Sequence, residues 1–452
     1  MAGRGKSKRC RSKKSRQRLK ELDRISELPD PLICQILSHL AWAKEVVKTS
    51  VLSSRWRSLW LEVPNFKLSS VVFPDFRVLK SIGDTFFDSN RISCIQKLKL
   101  HIFEDDDEEY RVGAESYPTS WIDAAAKRKL QRLYVFMLPD YQSEIPISLY
   151  TCKTLVSLKL YGMVLPGAGF VSLPCLKLMK LRNVRCPDEA TFERLVSCSP
   201  VLQVLKIAGH EDFHRAFPVH SLSLKKLQAK LERGHVVIDA PLLGVLKIED
   251  TSVENYVIRN LASSFKLDLT LLCGKLVYES AKRNSFRVFL SGISNVGEMV
   301  MSEKTFKVFH LYSIFEPMPQ FLYLSRLDAT ICPTDLKWLP AFLGCCPNLK
   351  SLVMGLFYTD ELRFLFEQAN QFSFSSVPEC SLSSLESVDI DGICGNAADV
   401  KLVRYILENS IILKKLTLDL RYCHNENAIL KKLLGIPRRS ITCQVLLRES
   451  EC

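Results

Sequence analysis

An α/β solenoid of stacked parallel strands, opened by a short helical segment and closed by a C-terminal cap, is the fold class that this 452-residue sequence predicts. Three observations predict it. An apolar-x-x-apolar-x-apolar pattern returns from Ile95 to Leu418. Amphipathic stretches lie between several of its copies. A Leu-, Ile- and Trp-rich stretch precedes them, too short to hide its own apolar side chains.

The composition, 47% hydrophobic and 25% charged with 18 Gly and 20 Pro, suits a large packed core and excludes wholesale disorder. No apolar run reaches the ~18 residues of a membrane span, and no signal peptide opens the chain. Its 16 cysteines are scattered without a CxxC pair, and no Asn-x-Ser/Thr sequon occurs. These features predict reduced thiols serving as small core residues in the nucleus and/or cytoplasm.

Residues 1–22 read as a basic disordered tail. Ten Lys/Arg and no acid fall within residues 1–20, and without them the net charge drops from +13 to +3. Such a tail is either a solvated arm, a nuclear-import signal or a weak polyanion contact.

Residues 23–68 change character. Asp30 is a candidate N-cap with Pro31 at the first helical position. Leu32, Ile33, Ile36, Leu37 and Leu40 follow at helical spacing, a stripe wider than one short helix needs. Further helices are expected at about Lys44–Ser50 and Ser54–Leu61, the latter with Trp56 and Trp60. The surplus apolar surface calls for cover by a partner or by the rest of the chain.

LPDPLICQIL followed by VKTSVLSSRWRSLW resembles an F-box, in particular that of plant F-box/leucine-rich-repeat/FBD proteins. The resemblance implies docking onto the Skp-type adaptor of a cullin-based (SCF) ubiquitin ligase. Carried onto this sequence, the adaptor-facing residues are Leu28, Pro29, Leu32, Ile33, Ile36, Leu37 and Leu40. Val51, Leu52, Trp56 and Trp60 are assigned to holding the helices together and against the following domain. The sequence departs from the family at Ala41-Trp42-Ala43-Lys44, one residue longer than the usual turn and without its Pro. Trp42 is there either an extra apolar anchor or a steric obstacle.

From 90 to 370 the solenoid is expected. Its pattern starts at Ile95, Leu130, Leu155, Leu176, Leu202, Leu224, Leu243, Val296, Leu324, Leu349, Leu385 and Leu413. Most spacings fall near the roughly 20–29 residues of a leucine-rich repeat. One longer gap predicts a degraded strand near Phe265–Leu269. A single strand of this kind cannot bury its apolar face, but stacked ones share a core. Pro187–Ser197, Thr334–Leu343 and Ala397–Glu408 read as helices, the first two running into SCSPVLQVL and GCCPNLKSL. Right-handed crossovers then put strands on the concave side and helices on the convex side.

Residues 371–448, from VPECSLSSLESVDI to PRRSITCQVLL, resemble the FBD region of the same plant family, and are expected to form the last coil and a cap. IDAPLLGVLKIED resembles the family's central repeat.

In each repeat the residue between the last two apolar positions projects from the strand face. That row reads Lys99, Tyr134, Lys159, Lys180, Lys206, Gln228, Lys247, then Val300, Asp328, Val353, Asp389 and Thr417. Its basic half, Lys99, Tyr134, Lys159, Lys180, Lys206 and Lys247, is the candidate target-binding surface, suited to an acidic or phosphorylated segment.

No catalytic, metal or cofactor set is expected. HEDFHRAFPVH, residues 210–220, matches HExxH with a third His at metalloprotease spacing, so His210, His214 and His220 would be ligands and Glu211 the base. Phe217 stands where that motif needs a turn-forming Gly, and no long helix fits upstream, so an inter-repeat loop is the expected structure. EDDDEE (104–109) lacks the Gly-punctuated spacing of a calcium loop. The chain is therefore expected to be a non-enzymatic substrate receptor that binds a Skp-type adaptor and a target protein, with no membrane and no nucleic acid. The alternative is a nuclear scaffold or RNA-associated protein acting through its basic tail, with a vestigial F-box.

Overall fold

Each copy of the repeated pattern forms a short strand. In the computed structural model the described residues are 25, 27–73, 75–89, 91–103, 117–138, 143–209, 216–232, 235–251, 256–262, 264–272, 279–358, 373–374, 376–420 and 426–448. EDDDEE lies outside them, as does the basic tail. The chain divides into two compact units, Met1–Pro166 and Gly167–Cys452.

In the first unit, helices Asp30–Leu37 and Ala43–Lys48 and the short helix Trp56–Leu59 precede four parallel strands. These are β1 (Asn65–Ser69), β2 (Lys97–Ile102), β3 (Arg132–Met137) and β4 (Ser157–Tyr161), paired in chain order. β1 adds a strand ahead of the first expected repeat. Phe66, Leu98, Leu133 and Leu158 share one register position, and Leu68, Leu100, Val135 and Leu160 the next. All eight are buried. Two helices that the sequence reading missed, Phe76–Asp88 and Tyr117–Lys127, cover this ladder. Asp75 caps the first, accepting a hydrogen bond from the Arg77 N–H at 2.7 Å. Phe66 and Phe86 stack at 3.7 Å between centroids, and Trp121 donates its indole N–H to Asp84 at 2.9 Å. The two helices approach so closely that a Cβ on Gly83 would lie 2.3 Å from the Trp121 ring.

In the second unit, β5 (Leu178–Arg182), β6 (Val204–Ala208), β8 (Lys226–Leu231), β10 (Val245–Asp250) and β12 (Phe265–Leu271) pair successively in parallel. β13 (Val296–Met301), β14 (Arg326–Ile331), β15 (Ser351–Leu356), β16 (Ser387–Asp391), β17 (Lys415–Leu418) and β18 (Gln444–Leu447) continue the series. The degraded strand near Phe265–Leu269 is β12, fully integrated between β10 and β13.

A recurrent turn starts the repeats. Leu155, Leu176, Leu202, Leu243, Val296, Leu324 and Leu349 each donate their N–H to the carbonyl three residues earlier, at 3.0–3.2 Å. In the Ser-Pro and Cys-Pro turns that carbonyl belongs to Ser199 or Cys346, whose side chains bond back to Leu195 O and Phe342 O. Backbone groups leaving each helix are thereby satisfied before the strand begins.

The expected helices are observed at Glu189–Ser197 and Ala397–Asn409, capped by Asp188 and Asn396, while Thr334–Leu343 forms a 3-10 turn at Pro333–Trp338 followed by helix Leu339–Leu343. Ser280–Gly292 and Glu303–Ser313 are further helices. Three crossovers contain strands instead. β7 (Ala216–His220), β9 (His235–Ala240) and β11 (Tyr256–Leu261) form a separate parallel sheet in the order β11-β9-β7. The spacing is the cause: Leu202, Leu224 and Leu243 start repeats 22 and 19 residues apart, and β12 follows at Phe265, which leaves room for an extended segment but little for a helix of several turns.

Candidate functional site

The Asp30–Leu37 helix splits its apolar stripe in two. Ile33 and Leu37 are buried, at 0% and 3% exposure, and Cys34 donates its thiol to Leu59 O at 3.5 Å. Their assignment to an adaptor-facing surface is therefore corrected: they join the helix to the Trp56–Glu62 turn, where Trp56 and Trp60 are also buried. Leu32 and Ile36 point the other way, 47% and 49% exposed, with Pro29 exposed and Leu28 and Leu40 half-buried. Val51 and Leu52, expected to hold the helices together, are instead 84% and 65% exposed. The stripe is too wide for one face of an eight-residue helix, so it serves two surfaces.

An open groove of about 430 Å³ follows the exposed half of that stripe, lined by Leu28, Leu32, Ile36 and His39 and by Pro64 and Gln96 from the entries to β1 and β2. Arg55 fixes its upper end, pairing with Asp30 at 2.5 Å and donating to Leu28 O at 2.5 Å. Asp30 is the first helical residue and caps nothing; its carboxylate is held by Arg55.

The unusual turn resolves the two readings of Trp42 in favour of neither. Trp42 faces inward, its ring 5.4 Å from that of His101 on β2. Lys99 lies 4.7 Å from the Trp42 ring centroid and 5.4 Å from that of Tyr134. The Trp42 N–H donates to Glu45 at 2.7 Å, and Lys67 donates to Leu40 O at 2.9 Å. Burial, with Lys97 and Lys67 nearby, pushes the Lys99 pKa down; burial and Lys99 do the same to His101. The added residue thus docks the helical segment onto the strand face rather than displaying an anchor.

The strand-face row exists as read. Lys67, Lys99, Tyr134 and Lys159 share one register position in the first unit. In the second, Lys180, Lys206, Gln228, Lys247, Asp268, Val300, Asp328, Val353, Asp389, Thr417 and Leu446 share another. The basic half is less open than the pattern suggests. Lys99 is held between the Trp42 and Tyr134 rings, Tyr134 also lies against His101 at 5.1 Å between centroids, and Lys247 pairs with Asp268 at 2.5 Å. Lys159 and Lys206 make no ion pair among the described residues. Further along, burial raises the pKa of Asp328, and Arg448 bridges Asp389, at 2.6 Å, and Asp391.

Of the metalloprotease-like motif, His210, Glu211 and His214 lie outside the described residues. His220 is on strand β7, where its Nδ1 lies 3.3 Å from Glu193, and Phe217 is buried against Phe192. The expected loop over residues 216–220 is therefore a strand.

Similarity to known proteins bears on this arrangement directly. The family model for FBD matches residues 371–418, and that for FBD-associated F-box protein At5g56370, LRR repeats, matches residues 119–261. The FBD-associated F-box protein At5g53635 of Arabidopsis thaliana is 51% identical over 93% of this chain and 99% of its own length. This chain belongs to the plant F-box/FBD/LRR-repeat family. Two other members from Arabidopsis thaliana, the F-box/FBD/LRR-repeat proteins At2g05300 and At5g25850, are 45% and 43% identical, over 96% and 100% of this chain. Within the family's FBD match fall β16, the Ala397–Asn409 helix and β17; β18 lies beyond it.

Proposed function

We propose that this F-box/FBD/LRR protein is the substrate-recognition subunit of an SCF-type ubiquitin ligase. Helices Asp30–Leu37, Ala43–Lys48 and Trp56–Leu59 act as its F-box, and the FBD region closes the strand stack. The F-box binds a Skp-type adaptor, the strand face holds a target, and the cullin ligase supplies the chemistry. Proximity is then the mechanism, since tethering raises the effective concentration of a target lysine at the charged ubiquitin carrier.

One observation carries the reading. Leu32 and Ile36 stay about half exposed, lining a groove, although the same helix buries Ile33 and Leu37 completely. Completing the burial of each contributes on the order of 1 kcal/mol. Val51 and Leu52 offer more apolar area on the same segment. On the target side, Lys206 is the residue of the second unit's basic row best placed to meet an acidic or phosphorylated segment, with Lys180 beside it in register.

Co-purification tests this. Wild-type protein recovers the Skp-type adaptor, and Leu32→Asp with Ile36→Asp loses it while keeping its thermal transition. Equal adaptor recovery from both proteins removes the ligase reading.

A further inference from the structure

The last strand of the second unit leaves one edge open. β18 pairs with β17, and among the described residues nothing pairs with its other side. The N–H groups of Gln444 and Arg448 donate to Lys414 O and Leu418 O, which turns the backbone of residues 444, 446 and 448 toward β17. By the alternation of a strand, the N–H and C=O of Val445 and Leu447 face outward.

The side chains at this edge are apolar and uncovered. Leu447 continues the buried ladder of Ile390 and Leu418, both 0% exposed, yet is itself 45% exposed. Leu446 and Leu434 are similarly open, and Ile441 is 99% exposed.

Charge selects what covers them. Residues 426–452 contain five Lys/Arg against Glu426, Glu449 and Glu451, and Arg448 is already paired with Asp389 and Asp391, so Lys431, Lys432, Arg438 and Arg439 are the basic group that counts here. Lys431, Lys432, Arg438 and Arg439 are exposed, Arg438 donates to Cys443 O at 3.0 Å, and Lys415 is the register partner of Gln444. A second copy joined edge to edge would bring two basic patches together. An acidic segment meets none of that repulsion.

We propose that the β18 edge accepts an extended, acidic segment of a partner protein, with apolar residues at alternate positions, as an additional strand. Its backbone pairs with Val445 and Leu447, its apolar side chains cover Leu447 and Ile441, and its carboxylates face the Lys/Arg cluster. This inference stands apart from the adaptor reading and is tested without the adaptor.

The probe is a fluorescein-labelled eight-residue peptide alternating Val with Asp or Glu, titrated into the full-length protein and followed by anisotropy. Saturable binding is expected, weakening with salt, while the same peptide with Lys in place of the acids fails to bind. Val445→Pro removes one outward donor and none of the bonds to β17, and raises Kd at least tenfold; Val445→Thr restores binding. Lys431→Glu with Lys432→Glu and Arg439→Glu raises Kd to a similar extent, which keeps the test decisive if the proline variant folds poorly. Absence of saturable binding overturns the proposal, as does equal binding of the basic peptide or indifference to all these variants. Sedimentation showing a dimer that Val445→Pro dissolves, or phosphatidylserine-vesicle binding independent of Val445, assigns the patch to another occupant and also overturns it.

Discussion

Gly83 and Trp42 show how single residues set the geometry of the first unit. Gly83 lets the Phe76–Asp88 and Tyr117–Lys127 helices meet at the Trp121 ring, so Gly83→Ala is expected to cost about 1–3 kcal/mol in urea denaturation. Gly167 is the control: an added Cβ there would meet nothing within 4 Å, and Gly167→Ala should stay within about 0.5 kcal/mol. Trp42 fastens the helical segment to β2 through His101 and Lys99, and its truncation to Ala should destabilise by about 1–2 kcal/mol, less than a fully buried Trp. His101 adds a pH dependence. Its Nε2 is buried without a hydrogen-bond partner among the described residues, and burial and Lys99 lower its pKa below the unfolded value near 6.5. Below that pH the unfolded chain binds the extra proton, so wild type should lose stability relative to His101→Phe as pH falls from 7.5 to 5.5. Chemical denaturation at both pH values checks the sign.

At the scale of elements, the helix of residues 30–37 has two sides with opposite tolerance. Ile33→Asp puts a charge at a fully buried position and should unfold the helical segment, whereas Leu32→Asp should leave its circular dichroism and melting unchanged. Much of this was legible in the sequence. The strands announced themselves because L-x-x-L-x-L places alternate apolar residues on one buried face, and a strand near Phe265–Leu269 was found despite its weaker pattern, the observed one running on to Leu271. The division of labour between Ile33 and Ile36 was not legible, because both lie in one wide apolar stripe and only the position of the Trp56–Glu62 turn separates them. Val51 and Leu52 were misassigned because an apolar pair between two helices reads as packing, whereas the Thr49–Val51 turn leaves both exposed. β7, β9 and β11 escaped because short crossovers carry no helical or repeat period, although HVVIDA alternates as a strand should. The Phe76–Asp88 helix had a signal in its Asp75 cap. Trp42 needed the fold: its partners Lys99 and His101 lie nearly 60 residues away in sequence.

Across the whole molecule, relatives that match nearly its full length place it in the F-box/FBD/LRR-repeat family. The strand-face row changes from basic to mixed and acidic along the second unit, with Lys247–Asp268 at the junction. A target should therefore bind in a fixed direction along this unit, and charge reversal at Lys206 should weaken it more than reversal at Lys247, whose charge is already paired. Adaptor binding is the claim on which the ligase role depends. Its most direct measurement is calorimetric titration of purified Skp-type adaptor into wild type, Leu32→Asp/Ile36→Asp, and Ile147→Asp, the last altering a still more exposed apolar residue outside the helical segment. Tight binding is expected of wild type and Ile147→Asp, with the double variant weakened about a hundredfold or more, roughly 2.7 kcal/mol. Binding unchanged in the double variant, or lost equally in all three proteins, would contradict the adaptor role.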